Sequence, residues 1–241
     1  MKCAIGIAGV LALFNVLPAS ADVLMGQVDR GLFNGNDFVD WGSLGPAITL
    51  VTNPVTTTSN GGLSLNVSEP VGTDFTRVDQ GNGWDGNFAP GDSLLWTSFG
   101  DPGPGPITID FASPISGAGA QIQDNRHSTF LATIDVYNGG TLLGSFTEAG
   151  PGFSTPQGDN TAIFIGIKDL SGANITRLVF STDVEDFAIN RMDLLTQNTT
   201  PVPEPSSLFL VTTGLGAALV VIRRRFLRRA AEADAAYDSR A

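Results

Sequence analysis

The chain has 241 residues and carries 13 Lys and Arg against 24 Asp and Glu, a formal net charge of −11. A surface this acidic is repelled by nucleic acid and by anionic lipid heads, which argues against polyanion partners. With Cys3 the lone cysteine and His127 the lone histidine, a disulfide framework, thiol chemistry and the usual zinc sites are excluded as well.

In chain order, Lys2 supplies a positive start and Ala4 to Leu17 is an apolar run too short to span a bilayer comfortably. Pro18 breaks the run, and Ala19 and Ala21 put small residues at the −3 and −1 positions of a cleavage site. These features predict a secretory signal peptide over residues 1–21, cut after Ala21; an uncleaved signal anchor is the alternative. Cys3 leaves with the signal. Residues 22–197 are long enough for one exported domain with a real core.

That domain reads as all-β. Glycine and proline are abundant, and apolar residues come in short runs between turns. Asp22 to Asn36 is polar and glycine-spaced, a lead-in, and Asp37–Trp41 opens the ordered part with Phe38 and Trp41 as buried anchors. Strands are predicted at Ala47–Thr52, Val55–Thr58, Leu63–Ser68, Asp74–Val78, Ser93–Ser98 and Ile107–Phe111. Ser116–Gln123 is rich in small residues that permit close packing. Thr129–Tyr137 and Thr141–Thr147 flank an Asn138-Gly139-Gly140 hairpin turn. Ala162–Ile167 is the most apolar strand and reads as central, and Ile175–Ser181 and Phe187–Leu195 complete the sheets. About ten strands of this length suit a two-sheet antiparallel sandwich, jelly-roll-like.

Three features of the body bear on ligands. Trp84 and Phe88 sit in the glycine-rich loop Gln80–Gly91; exposed, they would stack on sugar rings, but the favoured reading is a plug folded onto the core. Asp124, Asn125, Arg126 and His127 form a loop at one end of the sandwich. Arg126 could clamp an acidic sugar and Asp124 accept its hydroxyls, against the favoured reading of a solvated turn. Asp169, Asp183, Glu185, Asp186 and Asp193 offer oxygens for calcium, but their spacing matches no calcium loop and scattered surface acids is the plainer reading. No cofactor is expected. His127 is the one histidine a Ser-His-Asp triad could use, and a nucleophile elbow is absent. No pair of acids stands out for glycoside hydrolysis.

The C-terminal stretch is the most specific. Pro201, Pro203 and Pro205 hold Glu204 on a stiff extended segment. Ser206 to Ile222 carries no charge and is followed by Arg223, Arg224, Arg225, Arg228 and Arg229. The span is at the short end of what crosses a bilayer, and the arginines would keep its far end cytoplasmic. A buried core helix with a basic turn is the alternative.

Pro203-Glu204-Pro205, the hydrophobic stretch and the arginine cluster, in that order, resemble the PEP-CTERM sorting signal of exported bacterial proteins. The resemblance implies an exosortase partner, a membrane transpeptidase-like enzyme that cuts near the motif. It divides the C-terminus into a sorting segment, residues 198–229, and a polar tail, residues 230–241, longer than is usual for the family. In the body, G-A-G-A-Q-I-Q, T-I-D-V-Y-N-G-G-T-L-L-G-S-F, A-I-F-I-G-I-K-D, I-T-R-L-V-F-S and D-F-A-I-N-R-M-D are similar to the β-sandwich domains common in that family. That likeness implies a sandwich similar to carbohydrate-binding modules and no agreed activity. The expected function is an exported cell-surface or matrix protein without catalysis. The alternatives are a carbohydrate-binding module for exopolysaccharide and, less so, a glycoside hydrolase.

Overall fold

The computed structural model describes residues 23–70, 74–97, 105–125, 129–151, 158–184 and 186–196. The chain divides into two compact units, Met1–Gln197 and Asn198–Ala241, and every described residue lies in the first. Ala19, Ala21, Arg126, His127, Glu185, the sorting motif Pro203-Glu204-Pro205 and the arginines Arg223, Arg224, Arg225, Arg228 and Arg229 lie outside the described residues.

The elements in order are β1 (Leu24–Gln27), a one-turn helix α1 (Arg30–Phe33), β2 (Asp37–Val39), a 3-10 turn (Trp41–Leu44), β3 (Thr49–Val51), β4 (Val55–Thr58), β5 (Ser64–Ser68) and β6 (Phe75–Gln80). Then come β7 (Gly83–Trp84), β8 (Ser93–Trp96), β9 (Ile107–Ile115), β10 (Gly117–Asp124), β11 (Phe130–Asn138), β12 (Thr141–Gly150), β13 (Ile163–Asp169), β14 (Ile175–Thr182), β15 (Phe187–Ile189) and β16 (Met192–Leu195). Ten strands make a larger sheet in the order β1-β13-β10-β15-β8-β6-β3, with β16 joining β10 to β2 and β7 beside β6. Six make a smaller sheet, β12-β11-β14-β9-β5-β4. Every pairing is antiparallel except the short β6–β7 contact.

Period-two alternation sends one set of side chains from each sheet into a shared core. Leu65, Val67, Ile107, Ile109, Phe111, Ile134, Val136, Leu178 and Phe180 come from the smaller sheet, and meet Phe75, Leu95, Ala118, Ala120, Ile122, Ile165, Ile167, Phe187, Ile189 and Leu194 from the larger. The all-β, two-sheet expectation therefore holds.

Several details differ from expectation, each because a non-local contact decides. The lead-in is not loose: β1 pairs with β13, and Asp29 caps α1 through bonds from Gly31 and Leu32 N–H. β13 is not central but second from the edge, its apolar outer side covered by Phe33, whose ring lies 5.7 Å from Phe164. Trp41 is fully buried, whereas Phe38 is half-buried and turned outward under the Arg191 guanidinium, 5.0 Å from the ring. Phe187–Leu195 is two strands, interrupted at Asn190-Arg191.

Register fixes where the chain enters and leaves. Met25 pairs with Lys168, Lys168 with Gly117, and Gly117 with Leu195. These residues make one row across β1, β13, β10 and β16. The first strand starts and the last strand ends at the same end of the larger sheet, three strand spacings or roughly 14 Å apart. Thr196 is held there by Asn36, whose amide donates to the Thr196 carbonyl at 2.8 Å and accepts from its N–H at 2.9 Å. The ends of β8, β10, β12 and β14 and the starts of β9, β11, β13 and β15 lie at the opposite end of their sheets.

Candidate functional site

The outer face of the larger sheet is covered. The loop after β6 folds back over it and brings Trp84 and Phe88 onto Val78, Leu94, Trp96, Ala162 and Ala188, a second hydrophobic cluster. Trp84 meets Trp96 edge-on at 5.5 Å and Phe88 at 6.1 Å. Gln80 Nε2 and Gly158 N–H both donate to the Gly86 carbonyl, at 2.6 and 3.1 Å, and Asn87 N–H donates to Gln123 Oε1 at 2.8 Å. Gly86 must be glycine: a Cβ there would lie 2.0 Å from Gln123 Oε1 and 2.3 Å from Trp84 Nε1.

Trp84 is thus 3% exposed and walls a packed layer; it offers no stacking surface to a sugar. Asp124 is also fully buried, at the far end of β10, so it cannot meet an outside hydroxyl. Its neighbour Asn125 is tied to Asp186, amide to carboxylate at 2.9 Å, and the same carboxylate accepts from Trp96 Nε1. Of the tentative ligand residues, the two that are described, Trp84 and Asp124, are both buried.

Sequence reasoning gave Arg30 no role. The helix turn carries its guanidinium over the larger sheet, where Nε pairs with Asp193 at 2.8 Å. Its Nη2 donates to Asn190 Oδ1 at 2.8 Å and to the Arg191 carbonyl at 2.6 Å. Asn190 Nδ2 in turn donates to Gln121 Oε1 at 2.7 Å and Asp92 Oδ2 at 2.8 Å. Burial lowers the Arg30 pKa and Asp193 opposes that shift. The available signal was scarcity: a body with so few cations commits each described one. Arg77 pairs with Asp79 at 2.6 Å, Arg191 with Asp193 at 3.0 Å, Arg177 with Asp110 at 2.6 Å, and Lys168 donates to the Leu32 carbonyl at 2.9 Å.

The described acids among those considered for calcium have other partners. Asp169 caps a turn, taking bonds from Ser171 and Asn174; these outweigh burial and lower its pKa. Asp183 accepts from Leu131 N–H at 2.7 Å. Among the described residues no three His, Cys, Asp or Glu converge on a metal position.

The outer face of the smaller sheet is built differently. The one-turn helix, the 3-10 turn and β7 all pack on strands of the larger sheet. Register lines up Thr56, Asn66, Asp110, Arg177, Tyr137 and Leu142 in one outward row across all six strands. A second row holds Ser68, Thr108, Val179, Asp135 and Ser145. Asp110 grips Arg177 with both oxygens, 2.6 Å to Nε and 3.2 Å to Nη2, with about 40% of each side chain exposed. That carboxylate, and more weakly Tyr137, raises the Arg177 pKa.

No family model matches the sequence, and no curated protein matches it. Among solved structures the chain is similar to a DUF4465 family protein from Bacteroides caccae, with 12% identity and a TM-score of 0.36, over 70% of this chain and 99% of that one. It is also similar to CsCBM6-3 from Clostridium stercorarium, solved in complex with cellobiose, with 11% identity and a TM-score of 0.23, over 71% and 93%. Both are likenesses in strand architecture alone.

Proposed function

We propose that this is an exported, non-catalytic β-sandwich protein, held at the membrane by its C-terminal segment and then sorted to the cell surface or extracellular matrix. The supporting observation is the row Met25–Lys168–Gly117–Leu195, which puts both ends of the body on one side. That arrangement suits a body tethered to one surface during export. Glu204 follows Thr196 by eight residues, a reach of roughly 26 Å when extended. On this reading the body is wound as a jelly roll, and an exosortase-type enzyme acts at Pro203-Glu204-Pro205. The Arg223–Arg229 cluster stays cytoplasmic. Among the described residues no helix is long and apolar enough to cross a membrane, and the 206–222 span is not among them.

Fractionation tests this. The full chain leaves the membrane fraction when the processing enzyme is present, and Glu204→Ala keeps it there. A reporter fused behind Arg229 that proves periplasmic sinks the topology. A second reading, a carbohydrate-binding module for exopolysaccharide, is favoured by the hydroxyl-rich outer face of the smaller sheet, which is open among the described residues.

A further inference from the structure

We propose that the centre of that face, the row Asn66, Asp110, Arg177 and Tyr137, binds a neutral polysaccharide chain lying across the strands. The proposal rests on the carbohydrate reading and adds to it the residues and the ligand's charge.

The row is long and rigid. Six strands at roughly 4.8 Å spacing carry it over about 24 Å, so each strand meets about one pyranose unit of an extended glycan. Groups fixed on strands lose little freedom on binding, which suits a weak, repetitive ligand. The chemistry is mixed in the way a sugar requires. The Tyr137 ring, with Leu142 beyond it (52% exposed), offers apolar area to a ring face. Asn66, Thr108 and Ser68 offer donors and acceptors to hydroxyls beside it.

The Asp110–Arg177 pair decides the charge. Each holds the other in one rotamer, and Arg177 Nη1 remains to bond a hydroxyl. Because Asp110 already neutralises this cation, an anionic glycan gains no net attraction. Asp135 in the next row would repel it. The two rows sum to −1, from Asp110 and Asp135 against Arg177, in a chain of net charge −11. The acidic excess lies elsewhere and leaves this face close to neutral, which fits a neutral polymer and not a uronate.

Co-sedimentation of the detergent-solubilised full chain with insoluble cellulose, xylan and mannan, and with calcium-gelled alginate, tests this. Retention is expected on at least one neutral polymer, falling about tenfold in Tyr137→Ala. Thr108→Lys, in the second row directly beside Asp110 on β9, sets a long side chain against the proposed row without emptying any packing and should lower retention similarly, with the fold of both variants checked by circular dichroism. Leu131→Ala, on the same face off the row, should bind as the wild type does. Retention on alginate alone, or retention unchanged by Thr108→Lys, overturns the proposal and leaves the carbohydrate reading standing. No retention on any polymer overturns both.

Discussion

The two outer faces of this sandwich start from the same alternation and end in different environments. On the larger sheet, Gln121 and Gln123 point outward from β10 yet are 6% and 3% exposed, because loops bring them hydrogen-bond partners and the aromatic layer excludes water. On the smaller sheet, Asp110 and Arg177 point outward and stay wet. Strand pattern decides which side chains share a face; the connections decide whether that face is surface. A polar residue at an outward position is therefore no guarantee of accessibility.

The largest effect that would sharpen this contrast is Trp84→Ala. It empties a site between Trp96 and Phe88 and should cost about 3–5 kcal/mol in urea unfolding. Leu142→Ala, an apolar truncation on the open face, should fall within about 0.5 kcal/mol. Equal small costs would mean the loop is dispensable cover and not a second core.

Part of this was legible. The loop around Trp84 reads as a plug because glycines let it bend inward, and the structure folds it inward. The Asn138-Gly139-Gly140 turn and the β9, β11 and β14 strands follow from local alternation. What escaped depends on distant partners. Leu24-Met25-Gly26-Gln27 has no strand pattern of its own; it is a strand because β13 pairs with it. The apolar run of β13 implies burial on both faces, which a central position or a covering helix turn satisfies equally, and here Phe33 does the covering. The break between β15 and β16 exists because Asn190 is drawn into the Arg30 network, which local sequence does not show. The Asn66–Tyr137 row was invisible for the same reason: it joins four strands whose register only the fold sets.

A middle-sized effect probes the polar half of the covered face. Asp193→Ala removes the carboxylate shared by Arg30 and Arg191. A fully buried pair broken on one side costs about 3–5 kcal/mol; with Arg30 partly exposed and still bonded to Asn190 and the Arg191 carbonyl, about 2 kcal/mol is expected. Unfolding in urea reads it. Because Arg30 lies on the segment after β1 and Asp193 on the last strand, the variant should also speed amide exchange in both β1 and β16.

The smallest effect is expected on the open face, and its smallness is the test. Asp110→Ala breaks a two-pronged ion pair with Arg177, the same chemistry as Arg30 with Asp193. Water already solvates both partners, so the loss should be about 0–1 kcal/mol. What remains is Coulombic and unburied, so raising the salt to about 1 M should shrink the difference from wild type toward zero. The Asp193→Ala deficit should persist under the same salt, since the Asp193 side chain is only 9% exposed. If both deficits vanish together, the larger sheet's outer face is as wet as the smaller one's, and covering does not separate the two.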